Sequence, residues 1–226
     1  MRLINTKSLD LEEWFGSAIP KYAILSHTWE KEEKIGYRKI LAACHQVRRD
    51  SLDYLWVDTN CIDKKSSVEL IEAINSMFAV TAESTKTAQL IGMEQLYQRR
   101  WFTRGWTLQE LLAPNAVFFF DMDWQGIGVK DWQADLGFCV MLQKITGIRA
   151  TYINSVCSIF DAAISESMSW LALRKTTRDE DLAYCMLGIF GTNVPLLYGE
   201  GRQAFLRLQE EIIRISNDFC LELPRQ

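Results

Sequence analysis

The stretch Tyr54-Leu55-Trp56-Val57-Asp58-Thr59-Asn60-Cys61-Ile62-Asp63-Lys64-Lys65-Ser66-Ser67-Val68-Glu69-Leu70-Ile71-Glu72-Ala73-Ile74-Asn75-Ser76-Met77-Phe78 decides the fold class. Tyr54 to Val57 is a short run of aromatic and β-branched residues, ended by Asp58-Thr59-Asn60, and reads as a buried strand. Ser66 with Glu69 three residues on fits a capping box: the serine oxygen takes an orphan N–H and the glutamate reaches back. Leu70, Ile71, Ile74, Met77 and Phe78 then recur at helical spacing as one apolar stripe. Strand, polar loop and capped helix are the unit of a parallel sheet, and open α/β sheets hold ligands at the carboxyl ends of such strands.

Upstream, Tyr22-Ala23-Ile24-Leu25-Ser26 reads as an earlier strand, and Tyr37, Ile40, Leu41, Cys44 and Val47 as the inward face of its helix. Two successive units predict parallel pairing with right-handed crossovers. Residues 1–21 read as a leader with a small helix at 10–16. Residues 79–98 show neither a strand pattern nor a helical stripe. Residues 99–113 read as one helix stopped at Pro114, and 116–121 as a further strand. Beyond residue 130 the chain reads as mainly helical. Its segments lie between 130 and 144, around Ile164, Met168 and Leu171, from a capping box at Thr177–Glu180 to Gly191, and over 202–215 with Phe205, Leu208 and Ile212 inward. Gly199-Glu200-Gly201-Arg202-Gln203-Ala204 matches a dinucleotide fingerprint in form, but follows no strand and reads as a glycine-flanked helix entry.

With 226 residues, 48% of them hydrophobic and 24% charged, the chain has material for one large core. A net charge of -4 gives no basic footprint, so no nucleic-acid partner is expected. No apolar run is long enough to span a bilayer, so no stable membrane insertion is expected. Six cysteines without paired spacing and without a secretion signal read as reduced thiols of a cytoplasmic protein. Nor does their spacing suit a metal, so no metal site is expected.

Several blocks, in order, resemble the heterokaryon-incompatibility (HET) domain of filamentous fungi: Tyr22-Ala23-Ile24-Leu25-Ser26-His27-Thr28-Trp29, then 56–64 with 67–77, then Trp101-Phe102-Thr103-Arg104-Gly105-Trp106-Thr107-Leu108-Gln109-Glu110-Leu111. Residues 168–170, 174–178, 181–190, 195–201 and 204–212 continue the likeness. Four features depart from it. Residues 79–98 lack the family's aromatic central strand, Glu30 replaces the usual glycine after the first tryptophan, Asn60 stands where a second cysteine is common, and residues 219–226 leave the pattern.

The resemblance implies a single domain over 1–226 that triggers programmed cell death in fungal allorecognition, a form of innate immunity. It also implies a distant similarity to the Toll/interleukin-receptor (TIR) fold. The expected class is therefore α/β, with a TIR-like (flavodoxin-like), mostly parallel sheet and helices on both faces over about 20–122, and a helical portion over about 123–218. Self-association and an NLR-type sensor protein in trans are the implied partners. Some TIR members cleave NAD with a glutamate on the helix after a Ser-x-Trp-Cys-like stretch; Ser66 and Glu72 stand comparably here. NAD is then a substrate, and no cofactor is implied. The other mechanism is a non-enzymatic adaptor acting through self-association and recruitment.

On this basis Glu72 is the candidate catalytic carboxylate, and Ser26, His27, Trp29, Asp58, Cys61, Asp63 and Ser66 are candidate substrate-binding residues. Carboxylates suit N-glycosidic cleavage because positive charge develops on the ribose. Glu69 has structural work in its capping box. Arg104, Trp106 and Glu110 are read as structural or assembly residues. A His27–Cys61 thiol dyad is the weaker chemistry, because cysteines are more often inert and buried.

Overall fold

The computed structural model of the protein describes residues 1–26, 33–90, 100–121, 123–131, 133 and 136–222. Strands β1 (Arg2–Asn5) and β2 (Leu11–Glu13) form a hairpin, followed by β3 (Tyr22–Ser26), α1 (Glu33–Arg49), β4 (Tyr54–Trp56), the short α2 (Asp58–Cys61), α3 (Ser67–Ala82) and β5 (Lys86–Leu90). Next come α4 (Arg100–Thr103), α5 (Thr107–Leu112), β6 (Val117–Phe120), β7 (Gly126–Lys130), α6 (Leu136–Thr146), α7 (Ala150–Ile153), α8 (Ile164–Ser169), α9 (Asp181–Tyr184) and α10 (Gln203–Glu222).

The result is an α/β protein with one mixed seven-stranded sheet, ordered β2-β1-β4-β3-β5-β6-β7. The four middle strands are parallel: β3 lies between β4 and β5, and β5 pairs onward with β6. Both margins are antiparallel. The sheet is therefore mixed rather than mostly parallel. β3 is buried along its whole length, as a parallel strand covered on both faces must be. One apolar cluster joins β1, β3 and β4 to α1 through Ile40, Cys44 and Val47; a larger one joins β6 to α4–α10.

Three local readings are corrected. The leader is a hairpin rather than a helix, its turn closed by Asn5 Oδ1 accepting from Lys7 N at 3.0 Å and Ser8 N at 3.3 Å. Residues 79–98 do contain a central strand. β5 is Lys-Thr-Ala-Gln-Leu, too polar to announce itself; Ala88 is buried beside Phe118 and Phe120 of β6, while Thr87, on the opposite face, pairs with the buried Val117. Its Lys86 ammonium pairs with Asp50 at 2.5 Å and lies 3.9 Å from the Phe118 ring centre. The helix expected over 99–113 is two short helices, split where the backbone pairs with another segment: Gly105 N donates to Lys175 O at 3.0 Å and Lys175 N to Thr103 O at 2.6 Å. A further strand, β7, lies where mainly helix was expected, and the capping box expected at 177–180 does not form: the short α9 begins after Glu180 without a side-chain cap, because the Glu180 carboxylate accepts from Gly199 N and Gly201 N instead.

The helical portion meets the sheet portion at a close approach between Gly188 and Phe78. A Cβ on Gly188 would lie 2.1 Å from the Phe78 Cβ, an atom fixed to the α3 backbone. Gly188 lies in the turns after α9 and outside the left-handed region, where a Cβ by itself would be tolerated. Here the clash decides the sign, and Gly188→Ala is expected to cost about 2 kcal/mol in a urea titration.

Candidate functional site

Because β3 and β4 are parallel and in register from Tyr22↔Tyr54 to Ile24↔Trp56, Ser26 and Asp58 leave the sheet at the same edge. Between them opens a crevice of about 220 Å³. Its floor is the carboxyl end of β3; one wall is α3, through Leu70, Ala73, Ile74 and Met77. The opposite wall is Arg104, Trp106, Thr107 and Glu110, and Asp181 and Tyr198 reach in from the helical portion.

Glu110 is the most perturbed acid here. It is half-buried and opens on the crevice. The Ser26 hydroxyl donates to its Oε2, and Ser26 Oγ in turn accepts from Trp101 Nε1 at 2.7 Å. Burial pushes the Glu110 carboxyl up to about 7; Asp58 pushes the same way, while Ser26, Arg104 and Trp101 oppose it. Its folded-state value thus exceeds the unfolded one, and the folded protein holds the proton more tightly between about pH 4.5 and 7. Stability is lost as pH rises through that window, and the penalty stays in full above it. Glu110→Gln should therefore melt higher than the wild type at pH 8, by about 2 kcal/mol after allowing for its opening to solvent, and lose that advantage at pH 4.5. A carboxylate kept at such a cost, in a cleft, marks a candidate functional group.

The other candidates separate. Asp58 lines the crevice with its carboxylate 3.4 Å from Lys64 Nζ. Asp63 is occupied in a turn, accepting from Lys65 N at 2.9 Å. Ser66 caps α3 by accepting from Glu69 N at 3.3 Å. The Glu69 carboxylate accepts from Asp63 N at 2.9 Å and pairs with Arg2, so it ties the loop to β1 instead of closing the capping box. Glu72 is exposed and lines a second groove with Arg2, Trp14, Glu69 and Ser76, on the other side of α3. Cys61 is buried, its thiol pushed up to about 11 by desolvation, and stays protonated at neutral pH. His27 and Trp29 lie outside the described residues. Asp181 and Tyr198 escaped the sequence reading of the site. Their only signal was membership of downstream blocks of the family likeness. Tyr198 Oη donates to Asp181 Oδ1 at 2.9 Å, and burial raises the Asp181 carboxyl.

The fingerprint-like glycines bind a carboxylate of the chain itself: Gly199 N and Gly201 N, both at left-handed φ, donate to Glu180 Oε1 at 2.7 and 3.0 Å. That nest of amides is filled. Among the described residues, no group of three or more His, Cys, Asp or Glu could hold a metal ion, and no helix is long and apolar enough to cross a membrane. Among the described residues, Cys44, Cys61, Cys157 and Cys185 are free thiols.

The family model described as heterokaryon incompatibility protein (HET) matches residues 22–95. The vegetative incompatibility protein HET-E-1 of Podospora anserina is 39% identical over 234 residues, which cover 90% of this chain and 17% of that protein. The chain therefore spans less than a fifth of that relative. No solved structure matches.

Proposed function

The chain carries a heterokaryon incompatibility (HET) domain, and from that premise we propose that it is a fungal vegetative-incompatibility effector that triggers programmed cell death by cleaving NAD. The observation that carries the chemistry is the crevice at the carboxyl ends of β3 and β4, with a strained carboxyl opening on it. The parallel strands run β4-β3-β5-β6, which is second-first-third-fourth in chain order. That is the order of a flavodoxin-like sheet whose ligand sits at the switch point beside its first parallel strand, and it supports the TIR likeness.

In the reaction, the bond between ribose C1′ and the nicotinamide nitrogen breaks and its electron pair stays on the ring nitrogen. Water adds to C1′, giving ADP-ribose, nicotinamide and one proton. A carboxylate stabilises the ribosyl cation in passing. Asp58 would hold a ribose hydroxyl, and Ser26, its hydroxyl engaged by Glu110 and Trp101, would hold the crevice floor in shape. Glu72, the carboxylate that the TIR likeness nominates, stands with Ser66 on the neighbouring groove. Incubating the crowded, purified protein with NAD should release nicotinamide, and more slowly after Asp58→Asn. Cell killing that persists with no release would sink the enzymatic reading.

A second reading, a non-enzymatic adaptor, is favoured by the exposed apolar side chains Phe160, Ile164, Leu206 and Ile213 on the helical portion. They suit self-association or contact with an NLR-type sensor protein in trans. A Leu206→Glu, Ile213→Glu protein that sediments as the wild type does under assembly conditions would remove that support.

A further inference from the structure

We propose that Glu110 is the carboxylate that meets the ligand, and that the crevice binds a cationic N-ribosylated base, the nicotinamide riboside half of the dinucleotide. The ligand class rests on the NAD-cleaving reading above; the identity of the carboxylate does not.

Of the three glutamates in question, only Glu110 lines the crevice. Glu69 is held by Arg2 and the Asp63 amide, and Glu72 faces the groove across α3. Glu110 is also the one whose orientation is fixed from behind. Trp101 Nε1 locks Ser26, Ser26 donates to one carboxylate oxygen, and α5 sets the side chain at the end of β3. One oxygen is thereby positioned while the carboxylate keeps an opening on the cavity, the arrangement of a preorganised group.

The walls indicate what it would meet. Trp56 and Trp106 supply aromatic surface, which attracts a flat cation over its face; the Tyr198 ring already carries the Arg178 guanidinium at 4.5 Å. Three carboxylates, Asp58, Glu110 and Asp181, share the lining with two cations, Lys64 and Arg104, and Lys64 is already paired with Asp58. The interior therefore favours a positive ring. About 220 Å³ suits one ring and one pentose but not a whole dinucleotide. The remaining half would extend out of the crevice.

The charge state of Glu110 is part of the proposal. The groups facing it are Ser26 from β3, Asp58 from α2, Trp101 from α4, Arg104 from the loop before α5, and Arg174 from the segment packed behind it. Burial places its titration near neutrality, so binding of a cation should require its ionised form.

The test uses nicotinamide riboside itself, titrated into the full chain and followed by calorimetry and tryptophan fluorescence. Wild type should bind, with affinity falling about tenfold per pH unit below 7. Glu110→Gln, which keeps the side-chain shape and an acceptor for Ser26, should bind at least tenfold more weakly and lose the pH dependence while melting no lower than wild type. Ser26→Ala, a second variant that leaves the carboxylate in place but unlocks it, should weaken binding less and keep the pH dependence. No binding by wild type, or Glu110→Gln binding as wild type does, overturns the inference; so does a loss of binding on Glu72→Gln with Glu110→Gln intact. Nicotinamide release that survives Glu110→Gln would sink this inference and leave NAD cleavage standing. Glu110-dependent binding with no release from NAD would do the reverse.

Discussion

Trp101→Ala is expected to leave the domain close to unfolded at 37 °C. The side chain is 1% exposed, edge-on to Phe102 at 5.0 Å and to Phe119 at 5.9 Å. Removing a buried tryptophan costs about 3–5 kcal/mol through lost transfer energy and the cavity left behind. Its indole N–H also anchors Ser26, so the truncation leaves the hydroxyl that holds Glu110 without its donor. Total stabilities of such domains are only about 5–15 kcal/mol, so one such loss consumes a large share. Trp101→Phe separates the two contributions: it keeps the aromatic bulk and should cost about 1–2 kcal/mol, chiefly for the lost hydrogen bond. Urea unfolding followed by circular dichroism checks both. A Trp101→Ala midpoint equal to that of wild type would contradict the packing described here.

Lys130 provides the second large effect. It ends β7 with its ammonium fully enclosed, donating to Leu112 O at 3.5 Å and to Pro114 O, and desolvation lowers its pKa to about 7. A lysine whose folded value is depressed has the opposite sign from a paired one. Between about pH 7 and 10.5 the unfolded chain holds the proton and the folded chain does not, so stability rises with pH across that range and is lowest below it. The gain from pH 7 to pH 10 is roughly 3 kcal/mol. Lys130→Met should abolish this term while leaving two carbonyls unpaired at every pH, so its difference from wild type should shift by that amount between the two pH values. Parallel thermal melts of the two proteins measure the shift. A constant difference would mean that Lys130 stays charged when folded. The side chain caps the carbonyls after α5, the helix that carries Glu110, so the same lysine helps to seat the crevice wall.

Much of the sheet was legible in the sequence for a local reason. β3, β4 and β6 are apolar runs bounded by polar residues, and the helical stripe of α3 and the Ser66 cap identify themselves from spacing alone. Those signals are made by neighbours in the chain, and they sufficed to bring Ser26 and Asp58 to one edge. The family likeness, carried by motifs in order, was legible in the same way.

What the chain does not announce is whatever depends on distant partners. β5 is a strand because β3 and β6 hydrogen-bond its backbone on both sides, Phe118 and Phe120 fill the space that Ala88 leaves on one face, and Val117 lies beside Thr87 on the other. The break between α4 and α5 exists because Lys175 pairs with the backbone there. Burial is likewise a tertiary quantity. By sequence Glu69, Glu72 and Glu110 are three helical glutamates. Only packing gives the first to Arg2 and the Asp63 amide, leaves the second on an outer groove, and turns the third into a crevice where desolvation holds its proton to near neutrality.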